Sequence, residues 1–209
     1  MGRRSHSPIA SAGLPFLIAA ALLALLAAQF HLLYAIPFLA AFFFLLYLFR
    51  DPWRTIPADP LGIVAPIDGH VVEIVNTNNP LTAHQDKRIT IQFNWLGAYT
   101  VHSATEGKIS NLRQNGPDTE RRGKNRRALC VYVVTDEKDD VIMVVHRGLL
   151  ANFPRIYHRA GERVGQGRRL SYVPFGKRID LYVPMTAKVN VSKGDKLVAA
   201  ETILAHFVH

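Results

Sequence analysis

Aspartate, glutamate, lysine and arginine are missing altogether from Leu14 to Phe49. That run is too long for a core helix of a small domain, and one helix crossing a bilayer needs roughly 20 apolar residues. Cysteine is nearly absent as well: Cys130 stands alone, so no internal disulfide can form, which suits a reducing compartment. There is no His-Glu-x-x-His and no cysteine pair, so metal-ligand spacing is lacking and no metal is expected. No repeat of fixed period, no low-complexity tract and no long helical period outside the apolar run are found. Acidic residues are outnumbered, 16 against 25 Lys and Arg, for a net charge of +9. A balance of that sign suits an anionic partner.

The apolar run divides near Gln29 to His31 and carries Pro37 early in its second half. It is expected to form an N-terminal transmembrane helical hairpin over residues 1–50, with a single tilted span as the alternative. A cleaved signal peptide is not expected, because apolar sequence continues well past the 7–15 residues typical of such a segment. Arg3 and Arg4 precede the hairpin, Arg50 and Arg54 follow it, and the connecting turn is uncharged. The positive-inside rule then predicts both ends in the cytoplasm, and hence a globular domain on the cytoplasmic face of the membrane.

Residues 51–60, with Pro52 and Pro57, read as a linker. From 61 to 209 the texture is that of short strands. Runs rich in β-branched and aromatic residues cover Gly69–Val75, Arg88–Phe93, Ala128–Thr135, Val141–His146, Arg178–Val183, Ala187–Val191 and Thr202–Val208. Gly, Pro, Asn or Asp bounds each of them. The expected fold class is therefore mainly β, an all-β sandwich or barrel domain after the hairpin. Gly148–His158 is ambiguous.

One charged segment stands out. Arg121, Arg122, Lys124, Arg126 and Arg127 fall within seven residues. A solvated loop and a contact with anionic phospholipid headgroups are both open readings, the latter worth about 1 kcal/mol per charge near a charged surface. Nucleic acid is not expected as a partner, because aromatics do not interleave the basic residues.

Four segments together resemble the short, membrane-tethered form of phosphatidylserine decarboxylase. They are Phe49-Arg50-Asp51-Pro52-Trp53-Arg54 with Ile56-Pro57; Ala65-Pro66-Ile67-Asp68-Gly69-His70-Val71; Tyr99-Thr100-Val101-His102-Ser103-Ala104 leading to Gly107; and Gly167-Arg168-Arg169-Leu170 through Pro174-Phe175-Gly176-Lys177-Arg178 to Pro184, with Val191-Ser192-Lys193-Gly194-Asp195-Lys196. The resemblance implies a proenzyme that cuts its own backbone at a Gly-Ser bond and turns the serine into a pyruvoyl group, an electron sink for decarboxylation. It maps the family's aspartate onto Asp68 and its histidine onto His102, the pair that would activate the serine. It also makes membrane phospholipid the expected ligand, and a homodimer or an active decarboxylase the expected protein partner.

At the cleavage position the chain departs from that pattern. The family reads Phe-Gly-Ser-Arg; this chain reads Phe175-Gly176-Lys177-Arg178. Without a hydroxyl there is no N-to-O acyl shift, no ester and no elimination to a pyruvoyl group, so no cofactor is expected here. A histidine often found three positions before His102 is Tyr99, and a proline at the slot of Ala104 is missing. Ser171 could rescue the chemistry only by a shift of the whole Pro174–Pro184 match. Lys177 could otherwise be an amine nucleophile toward a carbonyl, or an exposed loop lysine.

The expected function is thus a non-catalytic, phospholipid-binding or partner-regulating homologue. One alternative is an active decarboxylase that matures by an atypical route. Another is a biotinyl- or lipoyl-like adaptor module, since Val64–Val75 and Lys188–Phe207 resemble half-motifs of such carriers.

Overall fold

In a computed structural model of the chain, the described residues are 13–79, 82, 84–113, 128–147 and 154–208. The basic segment Arg121–Arg127 and the first part of Gly148–His158 lie outside them. The chain divides into two compact units, Met1–Trp53 and Arg54–His209.

The first unit is a pair of helices, α1 (Leu14–Phe30) and α2 (Leu32–Leu48). Pro15 sits in the first turn of α1, where a missing N–H is no loss. His31 separates the helices by adopting extended backbone (φ −164°, ψ 139°), and its Nδ1 accepts the Leu33 N–H at 3.3 Å to cap α2. Pro37 lies inside α2 without ending it. At the open end of the pair, Phe16 stacks on Phe49 with ring centroids 5.9 Å apart. Gly13 faces the same ring so closely that a Cβ there would lie 2.3 Å from Phe49 Cγ. Leu25, Leu26, Phe30, Leu32 and Phe43 are all exposed.

The apolar run is thus a helical hairpin, and its expected transmembrane character needs correction. No described helix is long and apolar enough to cross a membrane. The physical reason is the break at His31: each arm has 17 residues, about 26 Å at ~1.5 Å per residue, against a hydrocarbon core of about 30 Å.

Among the described residues the second unit is β. In chain order its strands are β1 (Gly62–Val64), β2 (Gly69–Asn78), β3 (Gln85–Phe93), β4 (Thr100–His102), β5 (Gly107–Arg113), β6 (Ala128–Val134) and β7 (Asp140–Arg147). They continue with β8 (Arg155–Ile156), β9 (Arg163–Val164), β10 (Arg169–Tyr172), β11 (Gly176–Pro184), β12 (Lys188–Val189), β13 (Lys196–Leu197) and β14 (Ile203–His206). Eight of them form one antiparallel sheet in the order β13-β2-β3-β11-β7-β6-β5-β9, which curls as a half-barrel. Its edges are the two-residue strands β13 and β9, and short edges offer little template for pairing with another chain. Two three-stranded sheets, β1-β14-β12 and β4-β10-β8, complete the unit. The expected sandwich or barrel is therefore a half-barrel with two small sheets.

The core follows from alternation along the central strands. Ile89 and Ile91 on β3, Ile179 and Leu181 on β11, Met143 and Val145 on β7, and Leu129 on β6 are fully buried. Period two places Thr90, Asp180 and His146 on the opposite face. A polar face of a sheet usually meets water, yet here all three residues are buried. The Asp180 carboxylate accepts from Thr90 Oγ1 at 2.9 Å and pairs with His146 Nε2 at 2.7 Å. Arg178 Nε lies 3.8 Å away. Burial pushes the Asp180 carboxyl up, but the hydrogen bond and charge of His146, the Thr90 hydroxyl and Arg178 together leave it below its ordinary value of 3.8.

Removing the carboxylate would strand two buried polar partners. Asp180→Ala is expected to lower unfolding stability by about 3 kcal/mol, read from urea denaturation. Because the folded carboxyl is depressed, the wild-type contribution is complete above pH 3.8 and is lost as pH falls below it. The variant lacks that part of the acid sensitivity.

Candidate functional site

Asp68 sits in the turn between β1 and β2. Gly69 after it is required by close packing, since a Cβ there would lie 2.0 Å from the Gln92 carbonyl oxygen. The turn brings the Asp68 carboxylate among three other segments. Its Oδ2 accepts from Arg54 Nη2 at 2.5 Å and from the Ala98 amide at 3.2 Å. Its Oδ1 accepts from the Ala199 amide at 2.9 Å, and its main-chain oxygen accepts from Asn94 N at 2.9 Å. Both members of the ion pair are largely withdrawn from water, with side chains 13% exposed for Arg54 and 16% for Asp68.

His102 ends β4, beside the same turn. Its amide donates to the Pro66 carbonyl at 2.8 Å, and its ring is buried, with no hydrogen-bond partner for Nδ1 among the described residues. Burial pulls the imidazole down to about 4. The positive charges of Arg54 and Arg169 act the same way, and the Asp68 charge and the Pro66 contact oppose them only in part. His102 is therefore a neutral, weakly basic imidazole at pH 7, within electrostatic reach of Asp68, Arg54 and Arg169.

An aromatic wall connects this pair to the start of β11. Tyr99 stacks on Phe93 (6.1 Å between centroids) and packs against Phe175 (5.5 Å). Its hydroxyl donates to the Trp95 carbonyl at 2.6 Å, and burial raises the phenol's pKa. In the slot where a second histidine is often found, the chain thus carries a phenol committed to a backbone carbonyl. Phe175 is held at φ +54°, an unfavourable region for an aromatic residue. Gly176 lies flat on the Phe93 ring, with a Cβ placed there only 2.6 Å from Cε2. The β11–β7 register slips between Gly176 and Arg178, so Lys177 is the extra residue of a bulge and is exposed. Bulges re-aim a side chain out of the ladder.

The structure therefore brings Asp68 and His102 to one turn, and the Phe93–Tyr99–Phe175 cluster leads from the loop that Asp68 holds at Ala98 to Gly176. Among the described residues it forms no hydrogen bond from Lys177 to Asp68 or His102. Ser171 is buried within β10, paired with Val101 and Ile156, and the β11 register leaves Lys177 in place after Gly176. Sequence reasoning missed Arg54, taken as linker, and the amides of Ala98 and Ala199. No local motif marks these groups as carboxylate partners, because they lie 14, 30 and 131 positions from Asp68.

Comparison with known proteins agrees with this geometry. The family model for phosphatidylserine decarboxylase matches residues 41–205. A phosphatidylserine decarboxylase proenzyme of Nitrosomonas europaea is 34% identical, covering 97% of this chain and 96% of the relative. Proenzymes of the same name from Burkholderia vietnamiensis and Burkholderia cenocepacia are 32% and 33% identical, over 96% of each chain. The chain belongs to the phosphatidylserine decarboxylase family, a lyase family of phospholipid biosynthesis whose members use a pyruvoyl group formed by self-cleavage. The carrier-module alternative finds no favour in these comparisons.

The buried imidazole makes a pH prediction. Its folded pKa of about 4 lies below the ordinary 6.5, so the unfolded chain binds the proton more readily between those values. Unfolding stability should fall by about 2 kcal/mol between pH 7.5 and pH 5 on this account. His102→Gln should flatten that slope, measured as the change of urea midpoint with pH.

Proposed function

We propose that this chain is a phosphatidylserine decarboxylase homologue that does not convert itself to the pyruvoyl form and acts by binding phospholipid or by regulating an active partner. One observation carries the reading: the residue after Gly176, where the family's Phe-Gly-Ser-Arg pattern has its serine, is Lys177, and it lies exposed on a bulge. Self-cleavage in this family needs a hydroxyl that attacks the preceding carbonyl carbon. A lysine side chain carries no hydroxyl and has no route to a ketone at that backbone position. The group a pyruvoyl would come from is therefore absent. Asp68 adds support, because its carboxylate is already engaged by Arg54 and two backbone amides.

The apolar hairpin is proposed to hold the chain in the cytoplasmic membrane. Its arms are too short for a full crossing, so it dips in and returns, with both ends and the β unit on the cytoplasmic side. That orientation rests on the positive charges flanking the hairpin. Its exposed leucine and phenylalanine side chains would otherwise meet water. Anionic phospholipid is the proposed ligand, with Arg121, Arg122, Lys124, Arg126 and Arg127 as headgroup contacts. A homodimer or an active decarboxylase is the proposed protein partner.

Intact mass of the detergent-solubilised chain tests the central claim. One species at 23.3 kDa is expected, unreactive toward carbonyl reagents. Two fragments divided near Gly176, with the smaller blocked at its N-terminus, would overturn it and favour an atypical maturation. Lys177→Ser is expected to restore partial cleavage, seen as a second fragment on the same spectrum.

A further inference from the structure

Half of the exposed large apolar side chains described in the β unit lie on segments tied to one carboxylate. Trp95 is 72% exposed, Leu96 46%, Ile56 39% and Val198 39%. Asp68 holds the chain at Arg54, two residues before Ile56; at Ala98, two after Leu96; and at Ala199, next to Val198. These side chains therefore surround the turn that carries the candidate site.

Trp95 and Leu96 stand out because their exposure is built rather than incidental. Asn94 N donates to the Asp68 carbonyl at 2.9 Å; its own carbonyl accepts from Gly97 at 3.0 Å, and its Oδ1 accepts from Leu96 N at 3.3 Å. Gly97 is pressed against Asp68, since a Cβ there would lie 3.1 Å from the Asp68 Cβ. The Trp95 carbonyl is held by the Tyr99 hydroxyl. A turn held by these hydrogen bonds presents an indole and an isobutyl group to solvent. Beyond Tyr99, the same cluster of contacts leads through Phe175 to the exposed ammonium of Lys177.

We infer that the Trp95–Leu96 turn is a second membrane contact, which inserts into the headgroup boundary of an anionic phospholipid bilayer and lays the mouth of the Asp68–His102 site on the lipid surface. Magnitudes favour lipid over protein as the occupant. A stable protein interface takes roughly 800 Å² from each partner, far more than a two-residue tip presents. An interfacial membrane contact needs only one or two side chains, and an indole is among the side chains that bilayer interfaces favour. The net charge of +9 suits an anionic surface. The inference rests on the proposed membrane seating and phospholipid ligand. It adds a contact made by the β unit itself.

The chain has two tryptophans, Trp53 and Trp95, so Trp53→Phe leaves Trp95 as the reporter. The full-length variant is reconstituted into vesicles of phosphatidylcholine and phosphatidylglycerol and recovered by flotation. The expected result is loss of Trp95 emission when the lipids carry bromine at shallow acyl positions, together with protection from aqueous acrylamide. Leu96→Glu, added to the same chain, is expected to reverse both effects while flotation persists. Floating protein whose Trp95 is untouched by bromine and open to acrylamide overturns the inference and leaves the hairpin reading standing. Protection from both quenchers overturns it too, in favour of a protein–protein contact. A chain that does not float overturns the membrane seating and this inference together.

Discussion

The Asp68 carboxylate is the point on which the arrangement of the second unit turns. A buried or half-buried carboxylate is destabilising unless its lone pairs are filled. Here Arg54 and two backbone amides fill them, drawing residue 54, the loop before β4 and the turn before β14 onto the end of β2. Those three segments share no sheet ladder with one another. With the carboxylate gone, the loops would keep their own turns but lose the common anchor that sets their mutual distance. His102 depends on the same knot, because its burial and its proximity to Arg54 follow from the loops the carboxylate holds.

That knot bears on what the family chemistry can become in this chain. An aspartate and a histidine near a Gly-x turn are the ingredients of an internally activated nucleophile. In this chain the aspartate is occupied by an arginine, the imidazole is kept neutral and weakly basic, and the residue after Gly176 lacks a hydroxyl. What remains is a packed frame of Phe93, Tyr99, Phe175 and Gly176 whose geometry is expensive to alter: a positive φ at Phe175 and a glycine flat on a ring leave little room for substitution.

A second constraint lies at the centre of the half-barrel, where Thr90, Asp180 and His146 form a satisfied polar network on the face of the sheet opposite the aliphatic core. It joins β3, β11 and β7, and a one-residue slip of β11 would swing Asp180 into the aliphatic side. The network therefore pins the register that puts Lys177 on its bulge.

Much of the β unit was legible beforehand because β-branched and aromatic residues run along β2, β3, β6, β7 and β11, with period-two alternation clearest in β11. The two-residue strands β8, β9 and β13 carry too few residues for a period, and β4 and β5 were hidden by Ser, Thr and Asn that pair only once neighbours are in place. Asp68, His102 and Gly176-Lys177 were readable as positions through resemblance, yet not the state of any of them. The polar members of β11 were readable as an outward face, and Asp180 proved buried because two neighbouring strands supply its partners.

Sequence by itself determined the charge-free run, its break at His31, the strand-rich second half and the absence of a hydroxyl at position 177, all of which are properties of covalent order and local period. Only the tertiary structure decided that Arg54 closes on Asp68, that His102 is stripped of water and of a partner for Nδ1, and that Trp95 is held outward. Those outcomes depend on which groups meet across distant stretches of chain, and on how much water is left when they do.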